Sequence, residues 1–377
     1  MHLVIVQTPL AYMDNNTYNR QETGLAKALV KQGFKCSLIF TGREEKTEVV
    51  QDGIVIHYLK CKKLNQQFGT YLGLWKKLDE LKPDMVQIHE IGMFMSFYTL
   101  RWAQKHNVPC VVIQGPYELT RKPLFKQLEW MFDKTFGRYI LKHIAGLGCK
   151  TESAAKFIQN FRKSDYVITP VGLDASRFAN PLKEYNLREE LGIPQTDKVL
   201  LYIGVNEKRR HVRTLIDAVE NLPSDYSFVV VGEGSQKETL KQYVQEHLPH
   251  KKIHWLSKRP QSELPSIYKS ADLFLLASDY EIYGMVILEA MYYNVPVLST
   301  KTGGAVSLIE DKETGYLIDG FDGKKWAEKI ERIFNEKDTY ERIKKGSRDY
   351  ILRELLWEQT APQFVKLYNN ALDKWKK

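Results

Sequence analysis

Short apolar runs alternate with longer stretches of mixed polarity along the whole chain. Runs of three to five residues that are rich in Val, Ile and Leu, without polar alternation, are typical of strands buried on both faces of a parallel sheet. The predicted strands are Leu3–Val6, Ser37–Phe40, Ile54–Tyr58, Met85–His89, Cys110–Ile113, Ile144–Gly148, Tyr166–Thr169, Val199–Ile203, Phe228–Val231, Ile253–Trp255, Leu273–Leu276 and Val295–Ser299. Two successive sets of strands with intervening helical stretches predict an α/β protein with two Rossmann-like, doubly wound domains.

Helical spacing is clear near both ends of the chain. Tyr18–Gln32 carries Leu25 and Leu29 four residues apart, and Gly33 follows as a helix stop signal. Trp357–Trp375 also carries apolar residues at helical spacing, which predicts a terminal helix that buries one face. We expect this last helix to pack back on the N-terminal domain.

The chain of 377 residues is too long for one ordinary core and suits two domains. Pro170 and Gly172 favour a hinge at the junction of the two sets of strands. We therefore predict an N-terminal domain over residues 1–170, a second domain over 171–356 and a terminal helix over 357–377. Phe178–Pro181 should form an extended linker at the start of the second domain.

Composition places the chain among soluble globular proteins, with 43% hydrophobic and 27% charged residues. No apolar run is long enough to span a bilayer, and the first residues lack the basic and apolar pattern of a signal peptide. Cys36, Cys61, Cys110 and Cys149 are widely separated and form no Cys-x-x-Cys pair. A disulfide or zinc framework is therefore not expected, and the cysteines favour a cytoplasmic location.

The positive charge of the chain is confined to its first half. Residues 1–170 contain 24 Lys and Arg against 15 Asp and Glu, whereas residues 171–377 contain 31 of each. This asymmetry favours an anionic partner, either a membrane face or a phosphorylated acceptor, although a merely solvated basic surface is the alternative. Nucleic acid is not expected, because no zinc-finger, helix-turn-helix or RNA-binding signature is present.

Aromatic and basic residues are mixed over Leu119–His143. Such a composition suits a helix that lies at the interface of an anionic membrane, which would make the protein peripheral on the inner face of the membrane. The alternative is a helix that packs its aromatic residues into the core and leaves its basic residues outside.

A candidate ligand site lies between Ala271 and Ala290. The pattern predicts a strand, a loop that contains Glu281, and a helix that begins near Gly284. A helix that starts at the carboxyl end of a parallel strand presents free backbone N–H groups to anions, so a diphosphate is the natural ligand. Glu281 could accept hydrogen bonds from ligand hydroxyls, whereas Glu289 lies on an apolar helical run, where a carboxylate is costly unless it is paired or faces solvent.

Other predicted strands also end in glycine turns. Gly204, Gly232 and the pair Gly303–Gly304 follow such strands, and glycine there lets the backbone approach a ligand closely. The basic cluster Lys208–Arg210 comes shortly after Gly204 and could neutralise a diphosphate.

These motifs, taken in order, resemble the retaining glycosyltransferases of family 4, which have the GT-B fold. The matching segments are Gly24–Leu29, Lys82–His89, Pro170–Phe178, Tyr202–Gly204, Val231–Gly234, Ala271–Ser278, Glu281 and Glu289 in a Glu-x7-Glu spacing, Pro296–Val297, Gly303–Gly304 and Gly315. The resemblance implies two Rossmann-like domains that face a cleft. The first domain would bind the acceptor and the second the nucleotide sugar.

The resemblance also implies roles for individual residues. Glu281 and Arg210 would be the catalytic pair, with Glu281 on the donor-sugar hydroxyls and Arg210 at the position of a phosphate-binding Lys. The remaining donor-binding residues would be Glu289 on the ribose, the backbone of Gly284, Met285 and Val286 on the diphosphate, and Gly204, Lys208 and Arg209 around it. Which of Lys208, Arg209 and Arg210 binds the diphosphate stays open.

Several positions depart from the family pattern. Val205 replaces an Arg that usually follows the Gly204 position, and Ser307 replaces a Glu. In the first domain, Gln114 stands where a His is common, and Asn16 lies where a double glycine is usual. His89, Gln114 and Asn16 are the candidates for the acceptor side.

The expected reaction moves a hexose-type sugar from a nucleoside-diphosphate sugar to a glycan or lipid-linked acceptor with retention of anomeric configuration. Cell-surface polysaccharide or glycoconjugate biosynthesis would be the setting. No Asp-x-Asp sequence is present, so no metal is expected. The alternatives are a nucleotide-sugar epimerase on the same fold and a non-catalytic partner subunit that binds sugar nucleotides.

Overall fold

The computed structural model describes residues 1–9, 20–50, 53–63, 67–119, 123–177 and 186–376. The strands are β1 His2–Val6, β2 Lys35–Thr41, β3 Lys46–Val49, β4 Val55–Leu59, β5 Cys61–Lys63, β6 Gly69–Tyr71, β7 Met85–His89, β8 Cys110–Gln114, β9 Gly146–Cys149, β10 Val167–Ile168, β11 Lys198–Ile203, β12 Tyr226–Val231, β13 Lys252–Leu256, β14 Leu273–Leu276, β15 Val297–Thr300 and β16 Tyr316–Ile318. The helices are α1 Gln21–Val30, α2 Leu74–Leu81, α3 Phe94–Lys105, α4 Pro123–Phe132, α5 Arg138–His143, α6 Glu152–Gln159, α7 Leu187–Leu191, α8 Val212–Glu220, α9 Lys237–His247, α10 Leu264–Lys269, α11 Met285–Tyr292, α12 Ala305–Leu308, α13 Gly323–Asn335, α14 Lys337–Glu354 and α15 Trp357–Trp375. A π-helical stretch, Asp133–Gly137, joins α4 to α5.

The chain divides into two compact units. Unit 1 comprises Met1–Gly172 together with Trp357–Lys377, and unit 2 comprises Leu173–Leu356. Unit 1 is therefore built from two segments that are distant in sequence. The linker expected over Phe178–Pro181 lies outside the described residues.

The central sheet of unit 1 has the strand order β10-β9-β8-β7-β1-β2-β4-β3. The strands predicted from apolar runs pair in parallel, and all five residues of β1 and of β7 are buried, as expected for strands covered on both faces. No apolar run predicted β3, which pairs antiparallel with β4 at the sheet edge. Its residues are mostly polar and exposed, because an edge strand carries no fully buried apolar run.

The sheet of unit 2 has the order β13-β12-β11-β14-β15-β16, and each pairing in it is parallel. This is the doubly wound order 3-2-1-4-5-6. The strand order reverses between β11 and β14, and ligands of such sheets bind outside the carboxyl ends of the strands at that reversal. The loops that begin at Gly204 and Ala277 therefore occupy the expected binding position.

The predicted terminal helix is present as α15, and it packs on α1, β9 and β10 of unit 1. Its buried face includes Phe364, Leu367 and Tyr368. At its start, the indole of Trp357 lies so close to Gly24 that a β-carbon on residue 24 would collide with it. The helix thus completes the core of unit 1.

The segment from α4 to α5 combines exposed and buried apolar residues. On α4, Phe125, Leu128, Trp130 and Met131 are between 48% and 58% exposed. The aromatic residues of this helix therefore do not all pack into the core, whereas Phe132 at its end is buried. Among the described residues, every helix is too short or too polar to cross a bilayer.

Candidate functional site

The turn between β14 and α11 forms the base of the site in unit 2. Gly284 caps α11 with a φ of 93°, a left-handed conformation that costs a residue with a β-carbon about 1–2 kcal/mol. A β-carbon there would also lie 2.9 Å from the Ile287 Cδ1 atom. The first helical turn leaves the backbone N–H groups of Met285 and Val286 without intrahelical acceptors, so they remain available to an anion.

Arg210 and Glu281 meet beside this turn. The Arg210 Nη1 atom and the Glu281 Oε1 atom form an ion pair, and the two side chains are only 16% and 10% exposed. Arg210 Nη1 also donates to the Ser278 hydroxyl at 3.2 Å. Burial lowers the pKa of Arg210 to about 10, so the guanidinium remains charged at neutral pH. The sequence placed these residues on different loops, and the fold brings them together.

The turn that carries Arg210 is tied to the loop that carries Glu281. The backbone N–H of Asp279 donates to the Arg209 carbonyl at 2.9 Å. The Asp279 carboxylate lies 2.7 Å from His211 Nε2, and the His211 ring stacks on Phe321 with centroids 3.6 Å apart. These contacts fix the positions of the loops that carry Arg210 and Glu281. The part that His211 plays was not predicted, because no sequence motif distinguishes this residue.

Glu289 is buried inside α11, but it is not left without a partner. The Tyr268 hydroxyl donates to Glu289 Oε2 at 2.9 Å. Burial, followed by the charge of Glu289, raises the pKa of Tyr268 well above its usual range, so Tyr268 stays a donor. The paired environment removes the burial cost that the sequence analysis identified, and the role of Glu289 at a ribose stays a prediction.

The glycine turns pack against the same loops. The Gly304 N–H donates to the Glu281 carbonyl at 2.9 Å, which joins the Gly303–Gly304 turn to the Glu281 loop. Gly232, with a φ of 139°, approaches the Gly204 carbonyl so closely that a β-carbon would overlap it. The glycines thus serve first to pack the loops of unit 2 together.

The other cations of the predicted site differ in their surroundings. Arg209 is held by Glu207, with its Nε atom 3.1 Å from the carboxylate. Lys208 is exposed, and the family's usual Arg position carries Val205, which is 41% exposed. Within this basic cluster, Arg210 alone is both largely buried and paired with the Glu281 loop.

His89 lies at the carboxyl end of β7 in unit 1, next to β1 at the reversal of strand order. Its Nε2 atom is 3.3 Å from Gln87 Nε2 and 4.0 Å from Glu22 Oε1. Burial lowers the pKa of His89 to about 4, so the ring is neutral near pH 7. The Tyr368 hydroxyl of α15 donates to Gln87 Oε1 at 2.6 Å, which links the terminal helix to Gln87 and, through it, to His89.

Gln114 is engaged by the backbone. Its Oε1 atom accepts from the Ile91 N–H at 3.1 Å, and its Nε2 atom donates to the Pro116 carbonyl at 2.9 Å. Gln114 therefore joins the loops that follow β7 and β8. Asn16, the third acceptor-side candidate, lies outside the described residues.

Asp133, close to Gly92 in unit 1, is an acidic residue whose burial was not predicted from the sequence. Asp133 is 1% exposed, lies in the π-helical stretch, and its Oδ1 atom makes no hydrogen bond within the described part of the chain. Burial first, and then the charges of Glu129 and Glu90, raise the pKa of Asp133 to about 7. Burial also raises the pKa of Glu90, whose φ is 66°. A lone acidic residue in an amphipathic helical segment carries no sequence signal for such burial.

The described ranges contain no group of three or more His, Cys, Asp or Glu residues able to hold a metal ion. Cys36, Cys110 and Cys149 are buried free thiols. Burial raises the pKa of the Cys36 thiol to about 12, which keeps it protonated.

Sequence profiles of two glycosyltransferase families match the chain. The profile described as "Glycosyltransferase Family 4" matches residues 20–177, and the one described as "Glycosyl transferases group 1" matches residues 184–350. The first match falls in unit 1 apart from its last few residues, and the second lies within unit 2.

Curated relatives match about half of the chain. A D-inositol 3-phosphate glycosyltransferase of Corynebacterium glutamicum is 30% identical over 194 residues, which cover 49% of this chain and 46% of the relative. An N-acetyl-alpha-D-glucosaminyl L-malate synthase of Bacillus anthracis is 26% identical over 188 residues, with 49% of each chain covered. The chain therefore spans about half the length of the curated relatives it matches.

Solved structures match the fold over nearly the whole chain. A sucrose-phosphate synthase of Thermosynechococcus elongatus superposes with a TM-score of 0.78 at 16% identity, covering 99% of this chain and 100% of the other. The Anabaena HepE protein in complex with UDP-glucose gives 0.75 at 16% identity, covering 98% and 99%. With these GT-B folds matched and a family profile on each unit, the chain belongs to glycosyltransferase family 4.

Proposed function

We propose that the protein transfers a hexose-type sugar from a nucleoside-diphosphate sugar to a hydroxyl of a glycan or lipid-linked acceptor, with retention of anomeric configuration. The observation that carries this proposal is the Arg210–Glu281 ion pair beside the start of α11. A cation, a carboxylate and free helix N–H groups meet there at the strand-order reversal of unit 2. The names of the relatives, and the UDP-glucose bound to the Anabaena protein, support a donor of this class.

Each part of this site suits one part of such a donor. The N–H groups at the start of α11 and the guanidinium of Arg210 would bind the diphosphate, because both are positive and oriented. Glu281 would accept hydrogen bonds from sugar hydroxyls, and Glu289 from the ribose. Lys208, exposed and close in sequence to Arg210, would supply charge that Val205 cannot.

The proposed step breaks the bond between the anomeric carbon and the donor phosphate oxygen. The acceptor oxygen forms its bond on the same face of the sugar, and its proton passes to the departing phosphate. Arg210 and the α11 N–H groups stabilise the negative charge that develops on that phosphate. Removing one such preorganised donor typically costs a factor of about 10²–10³ in rate. No metal is required in this scheme.

The experiment is to measure nucleoside-diphosphate release from a panel of nucleotide sugars, with and without candidate acceptors. We expect Glu281→Ala to lower acceptor-dependent release at least about 100-fold. Glu328→Ala, at an exposed glutamate of α13, is the matched control and should retain the wild-type rate. Excess chelator should leave the rate unchanged.

Different outcomes would point to other functions. Turnover of donor without any acceptor would indicate an epimerase instead. If the protein binds nucleotide sugars without turnover, and if Glu281→Ala leaves its cellular role intact, the protein is a non-catalytic partner subunit. Inversion at the anomeric carbon, observed by NMR of the product, would contradict the retaining part of the proposal.

We further propose that the protein works at an anionic membrane face, where lipid-linked acceptors and cell-surface polysaccharide precursors are assembled. Phe125, Leu128 and Met131, spaced by three residues, form an exposed apolar face on α4, and Trp130 is exposed on another side of the helix. Lys126 and Arg138 are exposed on the same helical segment, and Lys134 lies 5.4 Å from the Trp130 ring centroid. The exposed apolar side chains suit the acyl-chain boundary of a membrane, and the flanking cations suit its anionic headgroups.

Co-sedimentation with vesicles tests this membrane proposal. Wild-type protein should bind vesicles that contain phosphatidylglycerol, and Leu128→Ser with Met131→Ser should abolish most of that binding. Leu352→Ser, at an exposed apolar residue of α14, is the matched control. Indifference of the wild type to vesicles with and without anionic lipid would refute the membrane location and leave the transfer reaction untouched.

A further inference from the structure

Unit 1 contains a cavity that is not lined by His89 or Gln114. It has a volume of about 860 Å³ and lies where β9 and β10 begin, between the end of α5, the loop at residues 161–166 and α15. His89 and Gln114 lie at the carboxyl ends of their strands. Because these strands run parallel, their carboxyl ends all lie at one end of the sheet. The cavity lies at the other end, where the strands begin, and so is opposite His89 and Gln114.

Four cationic side chains line this cavity, which we call the basic cavity. They are Lys142, Arg162, Lys163 and Lys374. Within the part of the chain that the structure covers, these four side chains have no ion pair or hydrogen bond, whereas Lys77 of the same unit is paired with Glu80. Asp165 is the one carboxylate among the lining residues. Like charges held close together repel each other, so an anion bound among them would relieve that repulsion.

The charges at the carboxyl ends of these strands, near His89, differ from those of the basic cavity. Glu22 lies 4.0 Å from His89, Lys150, Glu129 and Glu22 act on the charge of Glu90, and Glu129 and Glu90 act on Asp133. Among the described residues, the charges that act on His89, Glu90 and Asp133 are therefore mainly acidic. The transfer reaction leaves the cationic surplus of residues 1–170 unexplained, and the basic cavity accounts for part of it.

We infer that the basic cavity binds a phosphate group. Arg162 can contact two phosphate oxygens at once, and the three lysines supply compact charges around it. The Asn370 amide lines the same cavity and adds a neutral donor. The volume lies within the range of roughly 300–1,000 Å³ of small-molecule pockets, so a larger phosphorylated ligand fits as well as a bare ion. The phosphate would come from a free metabolite or from a lipid headgroup.

The test compares two double variants that make the same change in charge. Arg162→Glu with Lys163→Glu reverses two cations of the basic cavity, and Lys62→Glu with Lys63→Glu reverses two exposed lysines of β5 in the same unit. Binding of inorganic pyrophosphate is measured by calorimetry at low ionic strength. Binding to vesicles of phosphatidylcholine, with and without phosphatidylglycerol, is measured in parallel. Lys374→Glu provides a second, independent reversal on α15.

We expect the cavity variant to weaken one of the two interactions at least tenfold while the β5 variant does not. A loss of pyrophosphate binding identifies a free phosphate ligand, and a loss confined to vesicles with phosphatidylglycerol identifies a lipid headgroup. Equal behaviour of the cavity variants and the β5 variant in both measurements overturns the inference. Pyrophosphate that binds at the proposed donor site contributes equally in the wild type and in all variants, because no residue of unit 2 is changed.

Discussion

Arg210 and Glu281 are the residues on which the donor site depends. Their ion pair is largely shielded from water, so removal of one partner leaves an uncompensated charge. Breaking a buried pair in this way costs about 3–5 kcal/mol, and the residual exposure here reduces the expected cost to about 2–4 kcal/mol. Arg210→Met and Glu281→Gln should each destabilise unit 2 by this amount.

The double variant provides the control for this prediction. When both partners are replaced, no charge remains buried, and the loss in free energy of unfolding should be smaller than the sum of the two single losses. Urea denaturation of the four proteins measures the coupling. Additive losses would show that the two side chains do not interact in solution.

Asp133 should make the stability of unit 1 depend on pH. An unfolded Asp titrates near pH 4, whereas burial raises the pKa of Asp133 to about 7. Between these values the folded protein binds a proton that the unfolded chain has lost, so stability falls as pH rises through this window and levels off above it. Asp133→Asn has no proton to lose, and its advantage over the wild type should grow to on the order of 2–4 kcal/mol at pH 8.

Chemical denaturation at pH 5 and pH 8 measures this difference. Asp349→Asn, at an exposed residue of α14, serves as the control and should show no such growth. A stability difference between Asp133→Asn and wild type that is the same at both pH values would be inconsistent with a buried, protonated Asp133.

Single residues differ in how far their surroundings could be predicted. Glu281 and Gly284 follow from a strand, a loop and a helix start, which are local patterns. The contact of Arg210 with Glu281 joins two loops more than sixty residues apart in sequence, so no local pattern could specify it. The stacking of His211 on Phe321 and the burial of Asp133 also depend on residues that are distant in sequence, so no local pattern specifies them.

At the scale of elements, the turn before α11 depends on a left-handed glycine. Gly284→Ala should cost about 1–2 kcal/mol in stability, because a β-carbon opposes the φ of 93°. It should also weaken donor binding, since the turn sets the position of the first N–H groups of α11. A thermal-shift titration with the preferred nucleotide sugar checks both effects.

Gly346→Ala on α14 is the control for this substitution. A β-carbon at Gly346 meets no atom within 4 Å, and its helical backbone suits alanine. Helix propensity then predicts a small gain in stability of up to about 1 kcal/mol. A variant at Gly284 that behaved like the one at Gly346 would show that the left-handed turn is dispensable.

The hydrophobic pattern predicted most of the elements that build the two sheets. Buried parallel strands such as β1 and β14 can be predicted from sequence because they are uninterrupted apolar runs. The strands that were missed, β3, β16 and the hairpin β5–β6, are short, polar or exposed, so their strand character comes from pairing with neighbours. The interfacial alternative for α4 could not be decided from its composition, because both alternatives place cations outside.

At the scale of the whole molecule, α15 stabilises a unit that begins at the other end of the chain. Trp357, Phe364, Leu367 and Tyr368 are each at most 4% exposed within unit 1. Burying such a side chain contributes about 1.5–3 kcal/mol, so the four together approach the total stability of a typical domain. A chain that ends at Leu356 should therefore have an unfolded unit 1 and a folded unit 2.

Hydrogen exchange read by mass spectrometry tests this prediction peptide by peptide. Peptides from residues 1–172 should lose protection in the shortened protein, and those from 186–356 should keep it. Retained protection in both regions would mean that α15 is an accessory to unit 1 and not part of its core.

The return of the chain to unit 1 has a consequence during synthesis. Ribosomes add roughly 5–20 residues per second, so the segment 1–172 emerges roughly 10 s or more before α15 is made. During that interval unit 2 is being synthesised, and the apolar surface that Tyr368 and its neighbours will cover is open to solvent. The half of the protein that is translated first is therefore the half that finishes folding last, and its apolar surface stays exposed while it waits.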